Sequence, residues 1–264
     1  MADRGKSQED QNTLVLSFLS LRQALGWIGF LLPFALIWGG LALDRMIYPS
    51  VSDSYYSSMG DVFVGAMCAI GVFLLCYTGY EREAGEILSD KWISRIAGAA
   101  ALGVALLPTA PNPRMGPMPV RPLANGTWQP ICSLLQCETG VPTTSTLHFA
   151  CAGVFFAMLA IYCLFLFTRS GDAPPTLGKL RANRLYRICG WTLSGVIVAI
   201  GAIIGLNKLG WPYADALRSW HYLFWLESLG IWAFGLSWLV KGKSIGPYRM
   251  GYFSDARLPR GKSR

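Results

Sequence analysis

Apolar residues in this chain come in long runs that are hydrophobic all round, without the period-2 alternation of a half-buried strand. Six runs stand out: Ala24–Leu43, Asp61–Tyr80, Trp92–Leu107, Leu147–Thr168, Ile188–Leu206 and Trp220–Val240. A helix needs about 20 apolar residues to cross the hydrocarbon core of a bilayer, and each run meets or approaches that length. Pro33 interrupts the first run, which membrane helices tolerate when neighbours re-satisfy the backbone. The third is free of charge only from Ile96, and its alanines and glycines suit a helix enclosed by others. The pattern predicts an all-α fold: a polytopic membrane helix bundle with six transmembrane helices. An N-terminal segment, 1–23, precedes the bundle (24–241), and Leu14–Leu21 are expected to lie along the inner interface. A basic tail, 242–264, follows.

Composition agrees with the pattern. The 264 residues are 53% apolar and 14% charged, with mean hydropathy +0.38, against about 25% charged in an average soluble domain. An ordinary soluble domain, a disordered chain and a disulfide scaffold are excluded. Placing the N-terminus inside puts eighteen lysines and arginines on the inner segments and five on the outer ones. That bias predicts cytoplasmic N- and C-termini. It also explains the net charge of +8 without nucleic acid. No small-residue cleavage motif follows the first run, so the chain is expected as a multi-pass protein of a bacterial cytoplasmic (inner) membrane. The expected partners are membrane lipids, with a membrane-protein partner or a second copy as further options.

The longest connection, 109–145, lies outside in this topology and carries prolines at 111, 113, 117, 119, 122, 130 and 142, a density that forbids one continuous helix. It holds Cys132 and Cys137, which on an oxidising face form either a disulfide or two free thiols. It also contains the sequon Asn125-Gly-Thr127. In the fifth run, Gly201 and Gly205 have the small-xxx-small spacing that lets helices approach closely, within the chain or between copies.

Ionisable groups gather at the outer ends of the runs: Asp44, Asp53, Asp61, His148, His221 and, deeper, Glu227. A carboxylate inside a span usually faces the bundle interior with a partner, so Glu227 is either a ligand, proton acceptor or substrate anchor, or a hydrogen-bonded link between helices. Asp61 can instead complement the dipole of its own helix. Catalytic candidates are Glu227, Asp61 and Ser52. A zinc site needs three or four ligands, for which His148, His221, Asp61 and Glu227 are the candidates. No cofactor is firmly implied. On a continuous helix, the six-residue offset sets His221 and Glu227 about 120° apart, which counts against both serving one site.

Ser50-Val-Ser-Asp53 with Asp61-Val-Phe-Val-Gly65, and the final Ala233-Phe-Gly-Leu-Ser-Trp-Leu-Val-Lys-Gly242, resemble uncharacterised bacterial six-pass membrane proteins of small, basic type. The Pro49-Ser-Val-Ser-Asp53 element is also similar to one in the DRAM/Sfk family, a resemblance that implies lipid handling or membrane trafficking. More distantly, Ser52 or Ser54, Asp61, His148 and His221 resemble the site of the CREST superfamily, which includes alkaline ceramidases. That resemblance implies zinc-dependent hydrolysis of lipid amides. The family's paired histidine is absent, since position 225 is Trp, and six spans replace seven. Glu227 would have to supply the missing ligand or base. The leading expectation is a non-enzymatic bundle that engages lipid or a partner. A zinc-dependent lipid hydrolase comes second, and a small-solute or proton-coupled transporter third, since Pro33 and Pro108 accompany no internal repeat.

Overall fold

The computed structural model describes residues 2–77, 79, 89–116, 120–122, 128–130, 132–169, 176–210, 212, 217 and 219–244, with the backbone course alone over 2–18. The sequon and nearly all of the basic tail lie outside these residues. The described residues form seven α-helices, here α1 (Ala2–Gly39), α2 (Gly60–Cys76), α3 (Asp90–Leu106), α4 (Leu134–Thr139), α5 (Val141–Ile161), α6 (Leu177–Lys208) and α7 (Tyr222–Lys241). The proline-rich connection adds a short antiparallel ladder, β1 (Val120–Pro122) with β2 (Trp128–Pro130).

Four segments are long and apolar enough to cross a membrane: Leu19–Asp44, Val141–Leu166, Leu177–Lys208 and Tyr222–Lys241. The chain is a helical protein with the elements of a membrane protein. The helices α2 and α3 are shorter, 17 residues each, or about 25 Å at 1.5 Å per residue.

Several boundaries depart from the sequence pattern. The segment expected along the inner interface is continuous with the first span in one helix. No glycine or proline occurs between Lys6 and Leu25, so nothing breaks the backbone ladder, and Leu14–Leu21 continue as helix into the first span. That helix ends at Gly39 and Gly40 in a π turn (Gly40–Asp44), closed by Arg45 in the left-handed conformation at φ 56°. Gly140, at φ 87°, starts α5 at Val141 with Pro142 in its first turn; proline is favoured there because the first amides have no partner in the helix. Thr176 accepts the Lys179 amide at 3.2 Å and starts α6 eleven residues before Ile188. The basic segment 181–187 is therefore the opening of a long helix.

Six helices pack in a closed ring in the order α1, α2, α3, α5, α6, α7 and back to α1. The ring closes tightly between α1 and α7, where a Cβ on Gly235 would lie 2.5 Å from the Phe30 backbone nitrogen. At the α2–α3 contact, a Cβ on Gly98 would lie 2.7 Å from the Gly71 carbonyl oxygen. Only glycine allows either approach. By contrast, a Cβ on Gly201 or Gly205 would meet nothing within 4 Å, so among the described residues their spacing serves no close helix approach. Buried over 61% of its apolar window, α7 is enclosed, whereas α6 at 22% lies at the edge.

One end of the ring is filled by stacked aromatics. Trp238 meets Tyr77 at 5.2 Å, Phe167 at 5.2 Å and Tyr162 at 5.7 Å between centroids, mostly edge-on. Arg22 reaches this cluster and donates to the Tyr77 hydroxyl at 2.9 Å. The opposite end holds the polar residues described next.

Candidate functional site

The chain between α1 and α2 does not loop away from the bundle. Ser50, Val51, Ser52, Asp53 and Ser54 are all buried, and Ser52–Tyr56 form a single 3₁₀ turn. Irregular backbone at the mouth of a membrane bundle must have its polar groups satisfied by protein or water. Here three other parts of the chain supply the bonds.

From α7, the Glu227 carboxylate accepts the Val51 amide at 2.7 Å, with the Ser52 amide also facing it. The Phe224 amide, at the start of the same helix, donates to the Pro49 carbonyl at 3.2 Å. From α5, the His148 ring lies between two partners, with Nδ1 2.8 Å from the Leu107 carbonyl and Nε2 2.9 Å from Ser52 Oγ. A carbonyl only accepts, so Nδ1 carries the proton and, in the neutral ring, Nε2 accepts from the Ser52 hydroxyl. From the connection after α3, Asn112 Nδ2 donates to Asp53 Oδ2 at 3.0 Å, and the Tyr56 hydroxyl donates to the Thr109 carbonyl at 2.7 Å. Gln136 of α4 donates to Tyr56 Oη at 2.6 Å and to the Thr109 carbonyl at 3.1 Å. Cys132 and Cys137 form a disulfide with Cα atoms 5.7 Å apart, and it encloses the Ser133–Gln136 capping box of α4.

Beside this turn lies a pocket of about 500 Å³, lined in part by Ser52, Asp53, Asn112, Arg114, His221 and Glu227. Asp53 and Glu227 act on each other electrostatically across it. Among the described residues, no cationic side chain forms an ion pair with either acid. Burial pushes the Asp53 carboxyl above its ordinary range, and the contacts from Asn112 and Ser50 pull it only partly back.

The sequence candidates divide into three groups. Ser52, His148 and Glu227 meet around the turn, and His221 joins Glu227 on the pocket wall. The helical-wheel objection to that pair does not apply, because His221 precedes α7 in a left-handed conformation, φ 52°, and the 120° offset presumes a continuous helix. Asp61 stands apart and exposed in the first turn of α2, where it complements the helix dipole. Asp44 is engaged at hydrogen-bond distances of 2.6 Å with both Tyr48 Oη and Ser58 Oγ. Burial and this carboxylate push the Tyr48 hydroxyl up to about 12.

The four zinc candidates, His148, His221, Asp61 and Glu227, do not come together as one ligand set. Both ring nitrogens of His148 are taken, and the described residues contain no group of three or more His, Cys, Asp and Glu able to hold a metal. Sequence reasoning missed Asn112, Gln136 and Tyr56. Only Asn112 carried a local signal, as a lone amide between two prolines.

The chain matches no family model, and no curated protein or solved structure is significantly similar to it.

Proposed function

We propose that the chain crosses the bilayer six times with both ends in the cytoplasm, and that its outward pocket takes the ammonium-bearing headgroup of a phospholipid. The observation that carries this reading is the pair of acids, Asp53 and Glu227, lining one pocket with no ion pair to either among the described residues. Two carboxyls held in one partly desolvated site resist carrying two charges unless a cation neutralises them. An ammonium group donates three hydrogen bonds, and each acid has lone pairs beyond those used by the turn. Arg114 lies on the same wall, suited to the phosphate next to the amine. The exposed ring of Phe149 at the rim suits the glycerol and upper acyl carbons. For six crossings, the support is the closed ring of six helices and the lysine and arginine bias.

The test is native mass spectrometry of the full chain in detergent, titrated with short-chain phosphatidylethanolamine or phosphatidylglycerol. Asp53→Asn is expected to weaken the ethanolamine lipid about tenfold, the loss of one charge-assisted hydrogen bond, and to leave the glycerol lipid unchanged. Equal binding of the ethanolamine lipid by wild type and variant contradicts the reading.

The Ser52–His148 contact favours a second, catalytic reading. A serine hydroxyl on a pocket wall, donating to an imidazole whose tautomer is fixed by a carbonyl, has the geometry of an activated nucleophile. Labelling of Ser52 by a fluorophosphonate probe, lost in His148→Ala, is the expected result for that reading. An unlabelled wild-type chain contradicts it.

A further inference from the structure

The second cavity lies on the outward face of α6, toward its N-terminal end. It is an open groove of about 770 Å³ lined by Leu180, Asn183, Arg184, Arg187, Ile188, Trp191 and Thr192. Three features of it are independent. First, Arg184 and Arg187 sit one turn apart, both exposed, and the described residues give neither a hydrogen-bond or ion-pair partner. Second, Asn183 donates through Nδ2 to the Thr168 carbonyl at 3.1 Å, while its Oδ1 is buried with no partner. A buried acceptor without a donor costs free energy, so a hydroxyl brought into the groove gains what the protein leaves unpaired. Third, Ile188 and Trp191 are 57% and 69% exposed, one to two turns further along the same face. From Arg184 to Trp191 the helix rises about 10 Å, the distance from the phosphate level into the upper acyl region.

We infer that this groove is a binding site for a phospholipid with an anionic phosphate and a hydroxyl-bearing headgroup, of the phosphatidylglycerol type. The two guanidinium groups clamp the phosphate, a geometry arginine serves better than lysine. Asn183 Oδ1 accepts from a headgroup hydroxyl, and one acyl chain lies against Ile188 and Trp191. The basic start of the helix is then more than a topology signal. The carboxamide distinguishes a glycerol headgroup from a phosphate of equal charge without hydroxyls.

The test uses the full chain in detergent with short-chain phosphatidylglycerol, phosphatidic acid methyl ester and phosphatidylethanolamine as probes, read by native mass spectrometry and by quenching of tryptophan fluorescence by brominated acyl chains. The double variant R184Q/R187Q is expected to lose about 25-fold in affinity for both anionic lipids, roughly fivefold per surface cation. Both side chains are exposed, so its melting temperature is expected to stay at the wild-type value. Asn183→Ala is expected to abolish the preference for the glycerol lipid over the methyl ester while still binding both. Unchanged phosphatidylglycerol binding by R184Q/R187Q overturns the site. An intact glycerol preference in Asn183→Ala overturns the hydroxyl contact. Phosphatidylethanolamine binding is read in the same samples, so failure here is distinguishable from failure of the outer pocket.

Discussion

Glu227, in the second turn of α7, accepts the backbone N–H of Val51 at 2.7 Å across 176 residues of chain. One carboxylate thus ties the last long helix to the turn that follows the first. It does for the 3₁₀ turn what an acid at a helix N-terminus does for its free amides.

Removing that acceptor strands the amide. Glu227→Ala is expected to destabilise the protein by about 1–3 kcal/mol, the range for a buried group left unsatisfied. Glu227→Gln keeps a carbonyl acceptor and is expected to cost less. Thermal unfolding in detergent, together with hydrogen exchange at residues 51–54, checks both. Protection at those amides should fall in the alanine variant and persist in the glutamine variant.

Ser52 and His148 are expected to act as one unit. Since His148 bridges Ser52 to the Leu107 carbonyl, Ser52→Ala and His148→Phe should not add. A double-mutant cycle is expected to give a coupling of roughly 0.5–3 kcal/mol. Strict additivity in the melting data would show that the contact is not formed.

The raised Asp53 carboxyl sets a pH dependence. Burial holds its folded value above that of an ordinary aspartate, so the folded state holds the proton where the unfolded chain has released it. This group's contribution to stability is therefore full below the unfolded value and is lost as pH rises through the folded one. Asp53→Asn should flatten that part of the stability profile. A wild-type profile that rises across the same window contradicts the assignment.

Reduction of the Cys132–Cys137 bridge should loosen a second support of the site, because Gln136 between them holds Tyr56 and the Thr109 carbonyl. A loop this small is worth about 2 kcal/mol on the chain-entropy estimate. C132S/C137S is expected to melt lower and to expose the 52–56 turn to exchange.

Much of the body was legible because lipid imposes a single simple rule, and runs such as Leu147–Thr168 and Trp220–Val240 satisfy it by length alone. Boundaries were less legible. The start of α6 at Leu177 depends on one Thr176 hydroxyl, and basic residues such as Arg181 read as loop although nothing stops them from being helix. The site was half legible. His148 and Glu227 stood out as ionisable groups in apolar runs, and Ser52 through its resemblance to a known site, but their convergence is a property of the ring, with Val51 and Glu227 176 positions apart. Asn112 and Gln136 lie in a stretch whose prolines give no period to read. The 120° offset between His221 and Glu227 is not realised, because the left-handed backbone at His221 leaves no trace in a helical wheel.

The six-span arrangement requires α2 and α3 to cross the membrane along with the four longer apolar helices, with the pocket facing outward. Cysteine labelling in intact cells tests this most directly. In a chain whose five free cysteines are replaced by alanine, Arg114→Cys beside the pocket and Ser89→Cys at the start of α3 are treated separately with a membrane-impermeant maleimide. The six-span arrangement requires position 114 to label in intact cells and position 89 to label only after permeabilisation. Labelling of position 89 in intact cells would mean that α2 and α3 enter and leave by the same face, and would contradict the account.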